Sequence, residues 1–383
     1  MSTRIGIAGA GFAGAVLAQE LAKSGKYSIE VFDERPHVAG NCHTSRDAAS
    51  GIMLHHYGPH IFNTSRQDVW DYVNRYATFG AYTNRVKAIT ARGVFSMPMN
   101  LLTINQFFGK LMSPSQAREF LATVADASIR EPQNFEEQAL RFLGRELYEN
   151  FFYGYTKKQW GVEPKELPAA ILQRLPVRFN YDDNYYQQRY QGIPVEGYTA
   201  IVEKLLDHPA IEVKVGQRLR PSDAGQFDHV LWSGPLDAYF EHELGRLQYR
   251  SLVFERFDGT GDYQGNPVLN YCEESVRWTR ISEHKHFAPW EEHQKTVCFR
   301  EYSKLAENGD IPYYPLRLES DKSMLRQYMN AAEKTRGVSF VGRLGTYRYL
   351  DMHVVIGESL DFAKTLVGTS MRDWPKFSAP PLN

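Results

Sequence analysis

The first 25 residues contain the pattern that most restricts the fold: a short apolar run, a cluster of glycines and a helical run. Residues 4–8 read RIGIA, GAGFAG supplies Gly9, Gly11 and Gly14, and AVLAQELAKSG continues to Gly25. This order predicts a strand, a tight turn and a helix, as in dinucleotide-binding folds, whereas a chance glycine-rich turn is the alternative. Free N–H groups at the start of such a helix carry about half a positive charge and would receive a pyrophosphate.

The end of the next apolar run supports the same interpretation. SIEVFDE is predicted to be the second strand, and it ends at Asp33 and Glu34, about twenty residues after the last glycine, where a carboxylate can accept hydrogen bonds from a ribose. The following DERPHVAGNCHT resembles the acid-Arg-x-x-x-x-Gly-Gly run of many FAD proteins, with Ala39 in place of the first paired glycine. Near the C-terminus, VSFVGRLGTYRYLDM and MHVVIGESLDFAKTL predict a strand, a glycine turn and a helix whose N-terminus would face the pyrimidine edge of a flavin. FAD is therefore preferred over NAD.

Composition restricts the partners. The chain of 383 residues has 43% hydrophobic and 23% charged residues and a formal net charge of -1, so it can bury a core and form about two or three domains. A nearly neutral chain argues against nucleic acid or an anionic membrane as a partner held by bulk charge, which leaves a small molecule.

Cys42, Cys272 and Cys298 lie far apart and outside any metal-ligand spacing, which predicts a reducing compartment and no structural zinc. Since the sequence has neither a long apolar run nor a basic-then-apolar leader, we expect no membrane insertion and a cytoplasmic location.

Helix caps and alternating runs organise the rest of the chain. SPSQ (113–116) and NFEE (134–137) open two predicted helices, the second continuing through EEQALRFLGRELYENFF. From about residue 245, RSLVFERF, PVLNYCE, TRISEHKHF and TVCFREYS alternate as antiparallel strands do. The predicted fold is α/β: a Rossmann-like FAD-binding domain with an inserted helical domain and an antiparallel β-sheet domain. The predicted segments are 1–99 (FAD-binding domain, first part), 100–165 (helical insert), 166–195 (mobile loop and entry to the sheet domain), 196–244 (FAD-binding domain, returning part), 245–316 (antiparallel sheet domain) and 317–383 (FAD-binding domain, C-terminal part).

One segment combines aromatic residues with lysines and suggests a ligand. FFYGYTKKQWG, residues 151–161, places ring faces beside Lys157 and Lys158, which would suit a nucleotide base and its phosphates. Core packing is the alternative, although adjacent lysines are uncommon in a core segment. Asp182 and Asp183 could suggest a divalent metal, but an acidic turn between aromatic residues explains them, and we expect no metal.

Further motifs carry a resemblance to a known family. They are GPHIF (58–62), GYTKKQWG (154–161), LPVRFNYDDNY (175–185), the TRI-EHK segment (279–285), DIPYYP (310–315) and GRLGTYRYLDM (342–352). With these motifs in the same order and spacing over essentially the whole chain, the sequence closely resembles the bacterial UDP-galactopyranose mutases. Members of that family are flavin-dependent isomerases that interconvert the six-membered and five-membered ring forms of galactose on UDP without net oxidation. The resemblance implies covalent catalysis through N5 of reduced FAD, UDP-galactose and UDP-galactofuranose as partners, an unidentified reductant for which NAD(P)H is a candidate, and a homodimer.

The resemblance also assigns individual residues. Arg174 and Arg280 are implied as the catalytic cations that meet the diphosphate of UDP; without the resemblance, both would be interpreted as surface arginines. The implied substrate-binding residues are Asn84, Phe151, Phe152, Tyr155, Thr156, Trp160, Arg174, Tyr185, Asn270, Arg280, Tyr314 and Tyr349. The cofactor-binding residues, predicted from the patterns and the resemblance together, are Gly9, Gly11, Phe12, Ala13, Gly14, Asp33, Glu34, Gly40, Asn41, His60, Ile61, Arg343, Leu350, Asp351, Met352 and Val355. Taken singly, the tyrosines would be core residues and His60 a structural histidine.

Two further expectations concern the segment around Arg174 and the residue at position 63. Arg174 lies between Pro168 and Pro176, as expected of a short lid segment that closes on UDP. The family motif commonly reads Gly-Pro-His-Ile-Phe-His, whereas this chain has Asn63 in the final place. We expect Asn63 near the flavin and sugar, with UDP-galactose preferred and acceptance of a 2-acetamido sugar open. A redox flavoenzyme and a noncatalytic nucleotide-sugar sensor are the alternative functions.

Overall fold

The computed structural model describes residues 3–169, 171, 177–316 and 321–379. The strands in chain order are β1 (Thr3–Ala8), β2 (Tyr27–Asp33), β3 (Thr44–Arg46), β4 (Met53–His55), β5 (Phe62–Thr64), β6 (Phe79–Gly80), β7 (Val86–Thr90), β8 (Gly93–Met97), β9 (Tyr190–Pro194), β10 (Ile211–Val215), β11 (His229–Trp232), β12 (Tyr249–Thr260), β13 (Val268–Tyr271), β14 (Arg280–Glu283), β15 (Lys295–Leu305), β16 (Tyr314–Pro315) and β17 (Val338–Phe340). The α-helices are α1 (Phe12–Lys23), α2 (Gln67–Asn74), α3 (Leu101–Phe108), α4 (Pro114–Val124), α5 (Phe135–Leu143), α6 (Arg145–Leu147), α7 (Gly154–Trp160), α8 (Gly197–Leu206), α9 (Leu236–Tyr239), α10 (Asp321–Lys334), α11 (Gly342–Gly345) and α12 (Met352–Gly368).

A five-stranded parallel sheet has the strand order β10-β2-β1-β11-β17. Alternate residues of β11 enter two different apolar clusters, Leu231 on one face and Trp232 on the other, because successive side chains of a strand point to opposite faces. α1 packs against α8 and α12 within the first cluster. Strands buried on both faces are apolar throughout, which explains the run RIGIA. The predicted Rossmann-like domain is confirmed.

A second, seven-stranded sheet has the order β16-β12-β15-β14-β13-β7-β8. Its longest strand pair is β12 with β15, with Arg250 opposite Leu305 at one end and Thr260 opposite Lys295 at the other. All its pairs are antiparallel except β13 with β7. The predicted antiparallel sheet is therefore present, but it also takes in β7 and β8, which the sequence analysis assigned to the first part of the FAD-binding domain. β7 alternates between buried and half-buried residues, the pattern of a strand with one face against a core. The six-segment division itself stays a prediction.

The region between β8 and β9 carries helices α3 to α7, which share an apolar cluster. The cap signals are confirmed: Ser113 and Gln116 form a capping box at α4, and the Asn134 side chain accepts a hydrogen bond from the backbone of Glu137 at α5. The second predicted helix is not continuous. Gly144, with a φ of 75°, separates α5 from α6, and a π-helical turn over Tyr148–Tyr153 joins α6 to α7.

Short strands complete the fold. β3 and β4 form a hairpin, and β9 lies between β5 and β6 in a three-stranded sheet; these strands of two to five residues carry too few positions for a sequence period. None of the cysteines forms a disulfide. No helix among the described residues combines the length and apolar character needed to cross a membrane.

Candidate cofactor and nucleotide site

The turn between β1 and α1 is a close-packed glycine loop. Gly9 has a φ of 102°, a conformation that favours glycine, and its N–H donates to the Phe32 carbonyl at 2.7 Å. A Cβ atom on Gly14 would lie 2.0 Å from the Gly9 carbonyl oxygen, whereas a Cβ on Gly11 would meet only the Gly40 Cα, at 3.9 Å. Gly14 therefore lets the helix pack against the turn, and Gly11 leaves open space that a pyrophosphate could fill.

Two helices begin at this site without a side-chain cap. α1 follows Gly11 and α12 follows Asp351, and in neither helix does the N-cap side chain accept a hydrogen bond from the first turn. The free N–H groups of both helices can therefore meet negative charge. The side chain of Asp351, a predicted cofactor-binding residue, makes no capping hydrogen bond to α12.

A cavity lies against the glycine turn and collects most of the predicted cofactor residues. Those that line it are Gly9, Gly11, Phe12, Ala13, Asp33, Glu34, Gly40, Asn41, His60, Arg343, Leu350, Met352 and Val355. Three other predicted residues do not line it: Gly14, Ile61 and Asp351. Ile61 instead belongs to the apolar cluster of the helical region.

The cavity also has lining residues that the sequence patterns missed. They include Arg35, Cys42, Gln217, Arg218, Leu219, Trp232, Ser233, Gly234 and Pro235. Residues 217–219 follow β10, and residues 233–235 follow β11. In open parallel sheets, ligands bind beyond the carboxyl ends of the strands. The apolar runs IEVKV (211–215) and HVLW (229–232), which precede these residues, were the signal that could have identified them.

The two acids at the end of β2 differ in their surroundings. Asp33, only 8% exposed, accepts hydrogen bonds from the backbone N–H groups of Ala10 at 2.9 Å and Arg35 at 3.0 Å. Its carboxylate therefore fixes the glycine turn. Glu34 is exposed, and a cation, the Arg218 guanidinium, lies 4.0 Å away. The Glu34 carboxylate thus has more capacity left for a ribose than that of Asp33.

Two arginines bring positive charge to the cavity. Arg35 donates from Nη2 to Asn41 Oδ1 at 2.9 Å, while its buried Nη1 has no hydrogen-bond acceptor among the described residues. Arg343 donates to the Leu350 carbonyl from Nε at 3.0 Å and from Nη2 at 2.6 Å, and to the Tyr313 carbonyl at 3.1 Å. Buried donors are normally paired, so the unpaired Arg35 Nη1 is a donor that an anionic group in the cavity could accept from.

His60 lines the cavity as a neutral imidazole. Burial, with a further contribution from Arg343, lowers its pKa to about 4. Its Nδ1 lies 2.8 Å from the Gly58 carbonyl, and since a carbonyl only accepts, Nδ1 carries the proton. His60 Nε2 is then a hydrogen-bond acceptor at any pH above about 5.

Arg280 and Glu301 form the charged centre of a second group of predicted residues. They face each other across β14 and β15, with Arg280 Nε 3.1 Å from Glu301 Oε1, an ion pair whose angle falls outside hydrogen-bond geometry. Burial raises the pKa of the Glu301 carboxyl, and Arg280 acts in the opposite direction. Burial opposes the charge of Arg280, but Glu301 and nearby tyrosines hold its pKa above the ordinary value, so Arg280 stays cationic.

Three predicted tyrosines adjoin this ion pair, and a fourth, Tyr349, stacks on one of them. Arg280 interacts electrostatically with Tyr155, Tyr185 and Tyr314, and burial raises the pKa of all three. Tyr314 stacks on Tyr349 with ring centroids 5.2 Å apart. The Arg343 guanidinium of the cofactor cavity lies over the same two rings, 5.7 and 5.5 Å from their centroids. The tyrosine group is therefore directly beside the cofactor cavity.

Two predicted asparagines carry buried amide oxygens without partners. Asn270 lies opposite Arg280 in the β13–β14 pair. The backbone carbonyl of Asn84 accepts a hydrogen bond from the backbone N–H of Tyr185 at 2.8 Å. The side-chain oxygens of Asn84 and Asn270 have no hydrogen-bond donor among the described residues. Such atoms are expected where a ligand completes the hydrogen bonding.

The aromatic segment 151–161 is divided between core and site. Phe151 is 3% exposed and packs edge-on against Phe95, with Phe107 at 5.3 Å; its surroundings are those of a core residue, not of a base platform. Phe152 and Thr156 are also buried. Tyr155 and Trp160 are half-buried, so their rings remain the better candidates for contact with a base.

The two lysines of the segment do not offer free charge to phosphates, contrary to the interpretation from sequence. Lys157 pairs with Glu163 at 2.8 Å and with Glu274 at 2.9 Å. Lys158 Nζ lies within 3.1 Å of four backbone carbonyls. Both ammonium groups therefore serve the protein's own structure.

Three further predictions concern Arg174, Asn63 and the acidic residues Asp182 and Asp183. Arg174 and the lid expected around it lie outside the described residues. Asn63 is buried and donates from Nδ2 to the Ile61 carbonyl at 3.1 Å, and it does not line the cofactor cavity. Asp182 and Asp183 pair with Arg178 at 3.0 Å and Arg85 at 3.1 Å, which agrees with an acidic turn held by neighbouring cations.

The fold and the site together define a dinucleotide-binding enzyme of the α/β class. A family model for NAD(P)-binding Rossmann-like domains matches residues 7–76, and the family model described as UDP-galactopyranose mutase matches residues 150–349. A Klebsiella pneumoniae protein named "Probable UDP-galactopyranose mutase" is 51% identical over 98% of both chains. An Escherichia coli dTDP-fucopyranose mutase is 48% identical over 94% of this chain and 97% of its own.

This chain belongs to the UDP-galactopyranose mutase family, as the sequence motifs predict, and is thus an isomerase. A crystal structure of reduced UDP-galactopyranose mutase superimposes with a TM-score of 0.75, covering 97% of this chain and 95% of that chain at 16% identity. That likeness independently supports the fold.

Proposed function

We propose that the protein interconverts UDP-galactopyranose and UDP-galactofuranose with reduced FAD as its cofactor. The observation that carries the proposal is the position of Arg280 and its tyrosines directly beside the dinucleotide cavity, with Arg343 shared between the two. A mutase needs this adjacency because the anomeric carbon must reach the cofactor while the diphosphate departs toward a cation.

FAD is proposed over a nicotinamide dinucleotide on the residues around the cavity. The Gly11 space and the α1 N-terminus suit the pyrophosphate, and Glu34 suits the ribose. The uncapped N-terminus of α12 suits the electron-rich edge of a reduced flavin. When bound and reduced, the flavin supplies a nucleophilic N5 toward the anomeric carbon. His60 is neutral, so it adds no positive charge beside the flavin, and its unprotonated Nε2 can accept a hydrogen bond.

Arg280 is proposed to stabilise UDP as it leaves and returns. Negative charge grows on the diphosphate when the bond to the anomeric carbon breaks, and a fixed guanidinium in a water-poor site stabilises that charge more than it stabilises the bound substrate. The Glu301 carboxylate 3.1 Å away orients the Arg280 side chain. Arg174 is proposed as the second cation from the sequence alone.

The tyrosines are proposed as neutral donors to the diphosphate. Because burial raises the pKa of Tyr155, Tyr185 and Tyr314, their hydroxyls stay protonated and can donate to phosphate oxygens across the physiological pH range. The ring of Tyr155 or Trp160 would receive the uracil, and the open amide oxygens of Asn84 and Asn270 would accept from the ribose or the sugar.

A second candidate substrate follows from the 48% identical dTDP-fucopyranose mutase. The same displacement and recyclisation would serve a 6-deoxy sugar on dTDP, since neither step uses the 6-position. The residues around Arg280 do not distinguish the two, so the choice between them requires a direct assay.

The decisive experiment incubates dithionite-reduced protein with UDP-galactofuranose and, separately, with dTDP-fucofuranose, and resolves the products by chromatography. We expect UDP-galactopyranose from the first incubation at a higher kcat/KM than any product from the second. Oxidised protein is the matched control and should be nearly inactive. Turnover of neither furanose, or consumption of oxygen in proportion to product, would overturn the proposal. The reductant, the homodimer and the cytoplasmic location are proposed from sequence alone.

A further inference from the structure

Lys158 makes an unusual set of contacts on the side of α7 that faces the antiparallel sheet. Its Nζ lies 2.7 Å from the carbonyl of Tyr271, 2.8 Å from that of Glu273, 2.9 Å from that of Val276 and 3.1 Å from that of Trp278. An ammonium has three protons, so at least one of the four contacts shares a donor. We call residues 271–278 the carbonyl loop.

The carbonyl loop connects two residues of the proposed substrate site. It begins at Tyr271, the last residue of β13 and the neighbour of Asn270, and ends two residues before Arg280, the first residue of β14. The two residues lie opposite each other in the strand pair. A side chain that fixes the carbonyl loop therefore fixes the approach of Arg280 to the ligand.

Lys158 itself lies between the predicted base-contacting residues Tyr155 and Trp160 on α7. The same helix touches the carbonyl loop at a second point, where a Cβ atom on Gly154 would be 2.4 Å from the Cys272 carbonyl oxygen. The C-terminal end of α7 is held by the Arg250 Nε, which donates to the Gln159 carbonyl at 3.1 Å. α7 and the β13–β14 hairpin are thus docked as one unit.

We propose that Lys158 is a positioning residue that holds the base-contacting helix and Arg280 at one fixed spacing, so that a single UDP-sugar meets both at once. This inference rests on the proposed function, because it assumes that Tyr155 or Trp160 receives the base and that Arg280 receives the diphosphate. Lys158 does not touch the ligand in this scheme. Its contribution is to reduce the reorganisation that binding would otherwise require.

The charges around Lys158 make its own protonation relevant. Burial lowers the pKa of Lys158 to about 8, while Cys272, Glu273 and Glu274 of the carbonyl loop act in the opposite direction. On the sheet side the Arg250 guanidinium contacts the backbone of Lys158, with its Nη2 3.5 Å from the Lys158 carbonyl. Loss of a proton removes one of the three donors, so the carbonyl loop should loosen as pH rises above about 8.

The first test is a double-mutant cycle on UDP binding to the FAD-loaded protein, measured by calorimetry. Lys158→Met is made in the wild type and in Arg280→Lys, which keeps a cation beside Glu301. We expect the substitution at Lys158 to weaken UDP binding at least about tenfold in the wild type but less than about threefold in Arg280→Lys, because residues acting through one another are not additive. Lys165→Met is the matched control; it removes an exposed lysine that follows α7 in the chain and should change UDP affinity little.

The outcomes separate the two hypotheses. If Arg280→Lys binds UDP as tightly as the wild type, UDP binding does not depend on the guanidinium fork that Lys158 is proposed to place, and the positioning role of Lys158 is wrong. The proposed function is tested separately by turnover of the two furanose substrates, which that result leaves untouched. If Arg280→Lys weakens UDP binding but Lys158→Met has the same effect in both backgrounds, Arg280 keeps its role and the positioning role of Lys158 is wrong.

A second measurement does not depend on whether Lys158→Met folds. UDP affinity of the wild type and of Lys158→Arg is followed from pH 7 to pH 9.5, since a guanidinium keeps its charge over that range. We expect a loss of affinity above about pH 8 in the wild type that is absent in Lys158→Arg. The same alkaline loss in both proteins would contradict the inference.

Discussion

Arg280 and Glu301 lie opposite each other on neighbouring strands, 3.1 Å apart, at the place where the antiparallel sheet meets the cofactor cavity. The side chain of Glu301 is 3% exposed, so this carboxylate is sheltered from water. Removing only one member of a buried pair leaves an uncompensated charge that costs about 3–5 kcal/mol. A loss of activity in Arg280→Ala could therefore reflect either catalysis or folding, and experiments on this residue must separate the two.

The first prediction separates them with three variants. Arg280→Ala should lower both the free energy of unfolding and turnover, the latter by about 100-fold or more. The double variant Arg280→Ala/Glu301→Gln should recover most of the stability, because no buried charge is left unpaired, but should stay inactive. Arg280→Lys should keep FAD content and recover part of the turnover, since it supplies a charge without the planar fork. Stability follows from urea unfolding and turnover from the chromatographic assay; activity that returns with stability in the double variant would refute a direct role for Arg280.

The second prediction uses two glycines of the same turn. Gly11→Ala should leave the unfolding of the cofactor-free protein nearly unchanged, because its Cβ would meet only Gly40 Cα at 3.9 Å, yet it should lower FAD affinity at least about tenfold by filling the pyrophosphate space. Gly14→Ala should lower the free energy of unfolding by about 1–3 kcal/mol, because its Cβ would lie 2.0 Å from the Gly9 carbonyl oxygen. Thermal unfolding of the cofactor-free proteins and flavin titration measure the two effects. Normal FAD affinity in Gly11→Ala would argue against a pyrophosphate at this turn.

The glycine turn and the lysine pair show how far sequence could predict this site. Strand, turn and helix are local features, so the glycine turn around Gly11 follows from spacing alone, whereas the lining residues after β10 and β11 do not. The partners of Lys158 come from a loop more than 100 residues away, and no local pattern shows that backbone carbonyls, not phosphates, neutralise it. Phe151 was ambiguous for the same reason, because only the tertiary packing places Phe95 against it. Features set by neighbouring residues were therefore predictable. Whether a side chain packs in the core or contacts a ligand depends on residues far away in the sequence, which no local pattern shows.

The third prediction concerns the departure from the family motif at Asn63. The side chain is 7% exposed, bonds to the Ile61 carbonyl and lies outside the lining of the cofactor cavity. Asn63→Ala should therefore lower the free energy of unfolding by about 1 kcal/mol through the lost hydrogen bond. The ratio of kcat/KM for UDP-galactose to that for UDP-N-acetylgalactosamine should not change and should favour UDP-galactose in both proteins. A ratio that moves more than about threefold would give Asn63 a role in substrate choice.

The fourth prediction concerns a ladder of buried histidines that leads to the cofactor cavity. The backbone N–H of His55 donates to His284 Nδ1 at 3.1 Å, and that of His60 donates to His55 Nδ1 at 3.3 Å. Both Nδ1 atoms must therefore be unprotonated. Burial, together with smaller contributions from His56 and Arg256, lowers the pKa of His284 to about 3.

Acid should therefore destabilise the protein through this ladder. A histidine with a pKa near 6.5 when unfolded and about 3 when folded binds more protons in the unfolded state. The contribution of this neutral histidine to the free energy of unfolding is complete above about pH 6.5 and is lost as pH falls from 6.5 toward 3. His284→Asn, whose Oδ1 can accept the same backbone bond, should flatten the pH dependence of the free energy of unfolding between pH 6.5 and 4 by roughly 2–3 kcal/mol. His208→Asn is the matched control, because His208 Nδ1 also accepts a backbone N–H, from Ala210 at 3.1 Å, but at a half-exposed position. Urea unfolding at a series of pH values measures the free energy of unfolding of both variants. If it depends on pH equally in His284→Asn and the wild type, the buried histidines do not cause the loss of stability in acid.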